Sequence, residues 1–221
     1  MSAALAGDAA AAAAVVLAHG AGNDMDSGFM RVFHAGLADR GFLAVRFNFP
    51  YKEAGRKLPD PRPLLETCFR AVADFVRGGA APGGLGRSGQ QKIVLGGKSM
   101  GGRIASHLVA SGYAADALLF LAYPLHPPGK PEQKRDAHLY GIGCPMLFLS
   151  GTRDAFSKPE LLTPVVERIG PGVTLAWIEG GDHSYRVRGR PQKEVYTEAL
   201  VTVTGWLNRI AECGMRSVPD P

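Results

Sequence analysis

Ile93-Val94-Leu95-Gly96-Gly97-Lys98-Ser99-Met100-Gly101-Gly102 joins an apolar run of strand length to a segment whose Ile104, Ala105, Leu108 and Val109 recur at helical spacing. A strand that turns sharply into a helix through Gly-x-Ser-x-Gly needs small residues at 97 and 101, because the turn presses neighbouring backbones together while the serine sits strained at its apex. The Ser99 hydroxyl would then stand at a helix N-terminus, where the amide dipole favours developing negative charge. A glycine-rich turn can also serve tight packing alone, so partners for Ser99 have to be found elsewhere in the chain.

Working outward, further apolar runs lie at 13–18, 42–47, 117–122, 146–150 and 173–178. They are continuous rather than alternating, as in strands buried on both faces. Helical stripes separate them. Phe29, Val32, Phe33, Gly36 and Leu37 share one face, and Leu64, Leu65, Cys68, Phe69, Val72, Phe75 and Val76 share another behind Pro61 and Pro63. Tyr196, Ala199, Leu200, Val203, Trp206, Leu207 and Ile210 form a third. Strand and helix thus alternate, which predicts a mainly parallel sheet of about six strands between two helical layers, with chemistry beyond the carboxyl ends of the strands. The length of 221 residues suits a single domain over 1–221.

Two segments after Ser99 supply the partner types. Asp154, in Ser150-Gly151-Thr152-Arg153-Asp154, follows the run at 146–150, and His183, in Gly180-Gly181-Asp182-His183-Ser184, follows the run ending at Ile178. Serine, acid and histidine in this order, each just past a strand end, match one of the chain orders in which a hydroxyl is activated for nucleophilic attack. Asp182 is the rival acid, but as His183's neighbour it would have to fold back on the adjacent ring. His34 and His107 fall in helices, His126 and His138 in a Pro-rich loop, and His19 precedes a glycine. His183 would take the Ser99 proton while Asp154 fixes its tautomer and stabilises the imidazolium. The backbone N–H groups of Met100, after the serine, and Ala21, in the loop after the first strand, are the natural oxyanion donors.

Composition excludes several other classes. A formal charge of +5 comes from 25 basic residues interleaved with 20 acidic ones. The densest basic cluster, Arg186, Arg188, Arg190 and Lys193, lacks the aromatic interleaving of a nucleic-acid surface. Cysteines at 68, 144 and 213 form no CxxC pair, which fits a reducing, cytoplasmic setting. The apolar run at 9–18 lacks a basic leader, and no stretch approaches the roughly 18 apolar residues of a membrane span. No HExxH or comparable ligand spacing calls for a metal, and no cofactor is expected. Lys92 stands where GxxxxGK[ST] needs glycine, and Gly84, Gly86 and Gly89 precede a strand instead of following one, so neither phosphate-binding motif is met. The Gly-rich stretch 78–89 reads as a surface loop, and 216–221 as a frayed tail.

His19 to Gly22, Gly96 to Arg103, Tyr123-Pro124-Leu125-His126, Gly151 to Asp154 and Gly180 to Ser184 together resemble the dienelactone-hydrolase-like branch of the α/β hydrolases, over nearly the whole chain. That branch resembles the small bacterial α/β hydrolases of unassigned substrate and the testis-expressed and NSL-complex-subunit proteins of animals. The resemblance implies an eight-stranded sheet and a Ser, Asp, His triad, carried here onto Ser99, Asp154 and His183. Members usually carry a strand hairpin before the strand that leads into the His-Gly loop, whereas only about a dozen residues precede the apolar run at 13–18 here, so about six strands are expected. The stretch 123–144 is too short for a full lid, so an open site is expected, with Tyr123, Leu125 and His126 lining an acyl pocket.

The function expected from these residues is hydrolysis of an ester-like bond in a small molecule through an acyl-enzyme, with no nucleic-acid or membrane partner. The competing expectation is a binding or scaffolding module on the same fold without turnover. Lys98 beside Ser99, with Arg186, Arg188 and Arg190 after His183, suggests a carboxylate- or phosphate-bearing ester. The acyl group, the leaving group and the oligomeric state are not encoded in any motif.

Overall fold

The computed structural model describes residues 2–8, 10–78 and 91–212. The Gly-rich stretch read as a surface loop (beyond Gly78), Gly84, Gly86 and Gly89, Cys213 and the tail at 216–221 lie outside the described residues. Seven strands form one sheet: β1 (Ala3–Ala6), β2 (Ala13–Ala18), β3 (Leu43–Phe47), β4 (Lys92–Lys98), β5 (Ala117–Leu121), β6 (Met146–Gly151) and β7 (Val173–Ile178). Their order across the sheet is β1-β3-β2-β4-β5-β6-β7. All neighbours run parallel except β1, which pairs antiparallel with β3 from Ala3 opposite Phe47 to Ala6 opposite Ala44.

The helices are α1 (Gly28–Ala38), the single turn α2 (Pro50–Glu53), α3 (Arg62–Arg77), α4 (Met100–Ala110), α5 (Pro159–Ile169) and α6 (Gln192–Glu212). Alternation of side chains along the central strands feeds two cores. On β2, Ala13, Val15 and Leu17 face α1 and α6, where they meet Met30, Phe33, Leu37, Ala199, Val203 and Leu207. Ala14, Val16 and Ala18 face the opposite layer, with Phe69 and Val72 of α3, Ile104 and Leu108 of α4 and Leu162 of α5. Every residue of β2, β5 and β6 is buried, which is why these strands read as unbroken apolar runs.

Among the described residues the sheet has one strand more than the six apolar runs read from the sequence. Ala3–Ala6 carries none of the β-branched or aromatic residues that mark a strand, and four alanine-rich residues offer no period. Its place is set by long-range contacts: β3 supplies the ladder, and the His34 ring of α1 hydrogen-bonds through Nε2 to the Ala4 carbonyl at 3.2 Å. The helical stripes also narrow in three dimensions, since Val32, Leu64 and Phe75 are exposed. Among the described residues, no helix is long and apolar enough to cross a membrane.

Candidate active site

Ser99 sits between the end of β4 and the start of α4 with φ 51° and ψ −115°, a left-handed conformation that costs a residue with a Cβ atom of order 1–3 kcal/mol. The surrounding packing holds it there. Its N–H donates to the Leu121 carbonyl at 2.9 Å. A Cβ at Gly97 or at Gly101 would come within 2.2 Å of the Ala18 carbonyl oxygen, so both flanking positions need glycine for the elbow to press against the end of β2.

Asp154 and His183 arrive from the next two loops. Gly151, at the end of β6, lets the loops after β6 and β7 touch: a Cβ there would lie 2.1 Å from the Gly181 carbonyl, and the Arg153 N–H donates to that same carbonyl at 2.9 Å. The His183 loop is pinned from below by Tyr185, fully buried at φ 60°, whose hydroxyl donates to the Leu149 carbonyl at 2.6 Å. His183 Nε2 lies 2.9 Å from Ser99 Oγ, and His183 Nδ1 lies 2.7 Å from Asp154 Oδ2. The second Asp154 oxygen accepts the Phe156 N–H at 2.8 Å, and the Phe156 ring packs 4.5 Å from the imidazole. Asp154 is fully buried, whereas a quarter of the His183 side chain is open to solvent. Asp182 is engaged elsewhere, since its Oδ1 accepts the N–H groups of Ser184 at 2.7 Å and Arg186 at 2.8 Å.

Ser99, Ala21 and Met100 line one cleft of about 360 Å³. Among the described residues, no backbone hydrogen bond uses the N–H of Ala21 or Met100. The loop carrying Ala21 is braced by His19, which is buried and accepts the Phe49 N–H on Nε2 at 3.2 Å while Nδ1 donates to the Gly20 carbonyl at 2.9 Å. Burial, the largest influence, holds the His19 pKa below its ordinary value, which suits this neutral tautomer. Tyr51 adds a further tie, its hydroxyl donating to the Ala21 carbonyl at 2.9 Å.

Tyr123, Leu125 and His126 are all buried, and none lines this cleft; their neighbours Pro124 and Pro128 do. The Tyr123 hydroxyl donates to the Arg135 carbonyl at 2.7 Å, and the Leu125 carbonyl accepts the Arg135 N–H at the same distance, so these two shape the loop that carries Arg135. Arg62, Arg103 and Arg135 line the cleft with Asp60 and Phe156. No motif joins these arginines, which come from the start of α3, from α4 and from a loop. Arg186, Arg188 and Arg190 are exposed and stand outside the cleft, Arg190 pairing with Glu198 at 2.9 Å. Lys98 is almost fully buried, donates to the His183 carbonyl and sits 5.5 Å from the centre of the Phe29 ring. Burial pulls its pKa down to about 8, against the raising influence of Asp154 and Asp182.

Residues 11–208 match the family model of the alpha/beta hydrolase domain. The chain belongs to the α/β-hydrolase family. This α/β hydrolase is similar in structure to an α/β serine hydrolase without lid from Xanthomonas campestris (18% identity, 98% of this chain and 90% of that chain, TM-score 0.67). It is similar also to a dienelactone hydrolase from Anabaena variabilis (18% identity, 94% and 90%, TM-score 0.70) and a thermophilic esterase from Thermogutta terrifontis (17% identity, 95% and 93%, TM-score 0.69). At these identities the likeness is one of fold.

Proposed function

We propose that this α/β hydrolase is a serine hydrolase that cleaves an ester-like bond, a carboxylic ester, thioester or lactone, in a small substrate by way of an acyl-enzyme. The observation that carries the proposal is the unbroken chain from Ser99 Oγ to His183 Nε2 at 2.9 Å and from His183 Nδ1 to buried Asp154 at 2.7 Å. With Nδ1–H donated to Asp154, Nε2 is left as the acceptor for the serine proton.

Ser99 Oγ attacks the substrate carbonyl as its proton passes to His183, and the new oxyanion is held by the Ala21 and Met100 N–H groups. His183 returns the proton to the departing alcohol or thiol, leaving the acyl group on Ser99. Water, deprotonated by His183, then attacks the acyl carbon and releases acid and free serine. A lidless structural relative and an esterase relative support the reading at the level of fold. The cytoplasmic setting belongs to the same proposal and is supported by three cysteines far apart in the sequence.

A panel of short-chain aryl esters, thioesters and lactones tests the reaction class. Turnover of at least one group by the parent protein and none by Ser99→Ala is expected. Equal turnover by both proteins contradicts the assignment of Ser99, and no turnover of any member contradicts the reaction class.

A further inference from the structure

Three arginines, Arg62, Arg103 and Arg135, line the cleft that holds Ser99, and Asp60 is the one acidic residue among the lining residues. Asp60 pairs with Arg56 through Oδ1, at 2.6 Å, and its Oδ2 is buried without a hydrogen-bond partner. Arg62 pairs through Nε with Glu66 at 3.2 Å, while among the described residues neither Arg103 nor Arg135 forms an ion pair with a carboxylate. Arg103 Nε is fully buried with no hydrogen-bond partner. Arg62 also meets His107, its Nη1 lying 3.4 Å from His107 Nδ1, so among the described residues the unused donors belong to Arg103 and Arg135. Gathering like charges with such donors unused is unfavourable in the empty protein and becomes favourable when an anion fills the gap. The surroundings carry the same mark. His107 and His138, stacked at 3.7 Å beside the arginines, are both pushed toward the neutral form, chiefly by burial, with Arg62 and Arg103 adding to it.

We propose that the substrate bears an anionic group, a carboxylate or a phosphate, which seats among Arg62, Arg103 and Arg135 while the scissile carbonyl reaches Ser99. This rests on the hydrolase reading above and names the substrate class for the same site. The anion is a spectator in the reaction: the bond to Ser99 forms, the bond to the leaving group breaks, and the charge serves to place the carbonyl. Arg135 is suited to the task because both ends of its peptide unit are tied, its N–H to Leu125 and its carbonyl to Tyr123. Arg186, Arg188 and Arg190, the basic run next to His183 in sequence, have no part in it, since none lines the cleft.

Two matched ester pairs test the inference. 4-Nitrophenyl hydrogen adipate against 4-nitrophenyl methyl adipate places the charge on the acyl side, and 4-acetoxybenzoate against its methyl ester places it on the leaving group. For at least one pair, kcat/KM is expected to favour the anion by about tenfold or more, the scale of one hydrogen-bonded charge pair. The ratio of anionic to neutral ester, which cancels any general loss of activity, is expected to fall toward unity in Arg103→Gln and Arg135→Gln, to recover in part in Arg135→Lys, and to hold in Arg188→Gln. Inorganic phosphate and acetate, at constant ionic strength as competitors of the neutral esters, distinguish the two anion types: stronger competition by phosphate assigns a phosphate group, stronger competition by acetate a carboxylate. Cleavage of the neutral esters with no preference for either anion, or a ratio that survives both glutamine substitutions, overturns the inference and leaves the hydrolase standing. No cleavage of any of the four esters, with no fluorophosphonate labelling of Ser99, overturns the hydrolase reading and this inference together.

Discussion

Asp154 Oδ2 stands 2.7 Å from His183 Nδ1 on a carboxylate with no solvent exposure, and the other oxygen of that carboxylate is held by the Phe156 amide. The acid is thereby fixed in both position and partner, which leaves the imidazole a single productive tautomer. Asp154→Asn is expected to lower kcat by about four orders of magnitude, because the amide can stabilise the wrong tautomer while keeping the shape. Steady-state kinetics on an aryl ester checks this, and a loss of less than about tenfold would point away from Asp154 as the acid.

Gly101→Ala is expected to destabilise the fold by about 1–3 kcal/mol, since the added methyl meets a backbone oxygen that cannot swing aside. That oxygen is the Ala18 carbonyl, 2.2 Å from the position of the new Cβ, and Ala18 leads into the loop that carries Ala21. Activity should therefore fall together with the urea midpoint. Gly143→Ala, where a Cβ meets nothing within 4 Å, serves as the control and is expected to leave the midpoint nearly unchanged.

Lys98 makes stability depend on pH in the alkaline range. Below its folded value of about 8 both folded and unfolded chains carry the proton, and the cost of burying the ammonium is fully present. Between about 8 and the ordinary 10.5 the folded chain has released a proton that the unfolded chain still holds, so stability rises with pH. Relative to Lys98→Met, the parent is expected to gain about 2 kcal/mol between about pH 7 and about pH 9.5. Urea unfolding of both proteins at the two pH values measures the difference, and a gap that stays constant would show that Lys98 keeps its proton throughout.

The histidine pair acts on the acid side. Burial, with the neighbouring positive charges, pulls His107 down to about 3 and His138 to about 4. As pH falls below the ordinary histidine value of 6.5 the unfolded chain takes up protons that the folded chain refuses, so stability declines from there toward about pH 4. Replacing both by glutamine is expected to flatten that decline in thermal melts. An equally steep decline in the double variant would exclude the pair as its source.

Much of this architecture is legible in the residues themselves. The six apolar runs correspond to β2 through β7: β2 to β6 are largely buried on both faces and need no polar alternation, while β7, at the sheet edge, is half-buried except at Ile178. Ser99, Asp154 and His183 stand out because each follows the carboxyl end of such a strand, which brings them to one edge of the sheet. The sequence leaves Asp182 as a rival, and the competition is decided by two backbone amides that only the folded loop brings to it. Strand β1 is hidden, since four alanine-rich residues acquire their conformation from β3 and His34 rather than from any local preference. The arginine-lined cleft is hidden for a related reason: positions 62, 103 and 135 carry no shared spacing, and only the packing of α3, α4 and the loop after β5 gathers them.

The claim on which the account rests is that His183 and Asp154 activate Ser99. A fluorophosphonate probe reads this directly, because it reacts with an activated serine and spares an ordinary hydroxyl. Stoichiometric labelling of the parent protein at the peptide containing Ser99, lost in Ser99→Ala and strongly slowed in His183→Ala, is the expected result. A folded parent protein that takes up no label, or that is labelled equally well after Ser99→Ala, would contradict it.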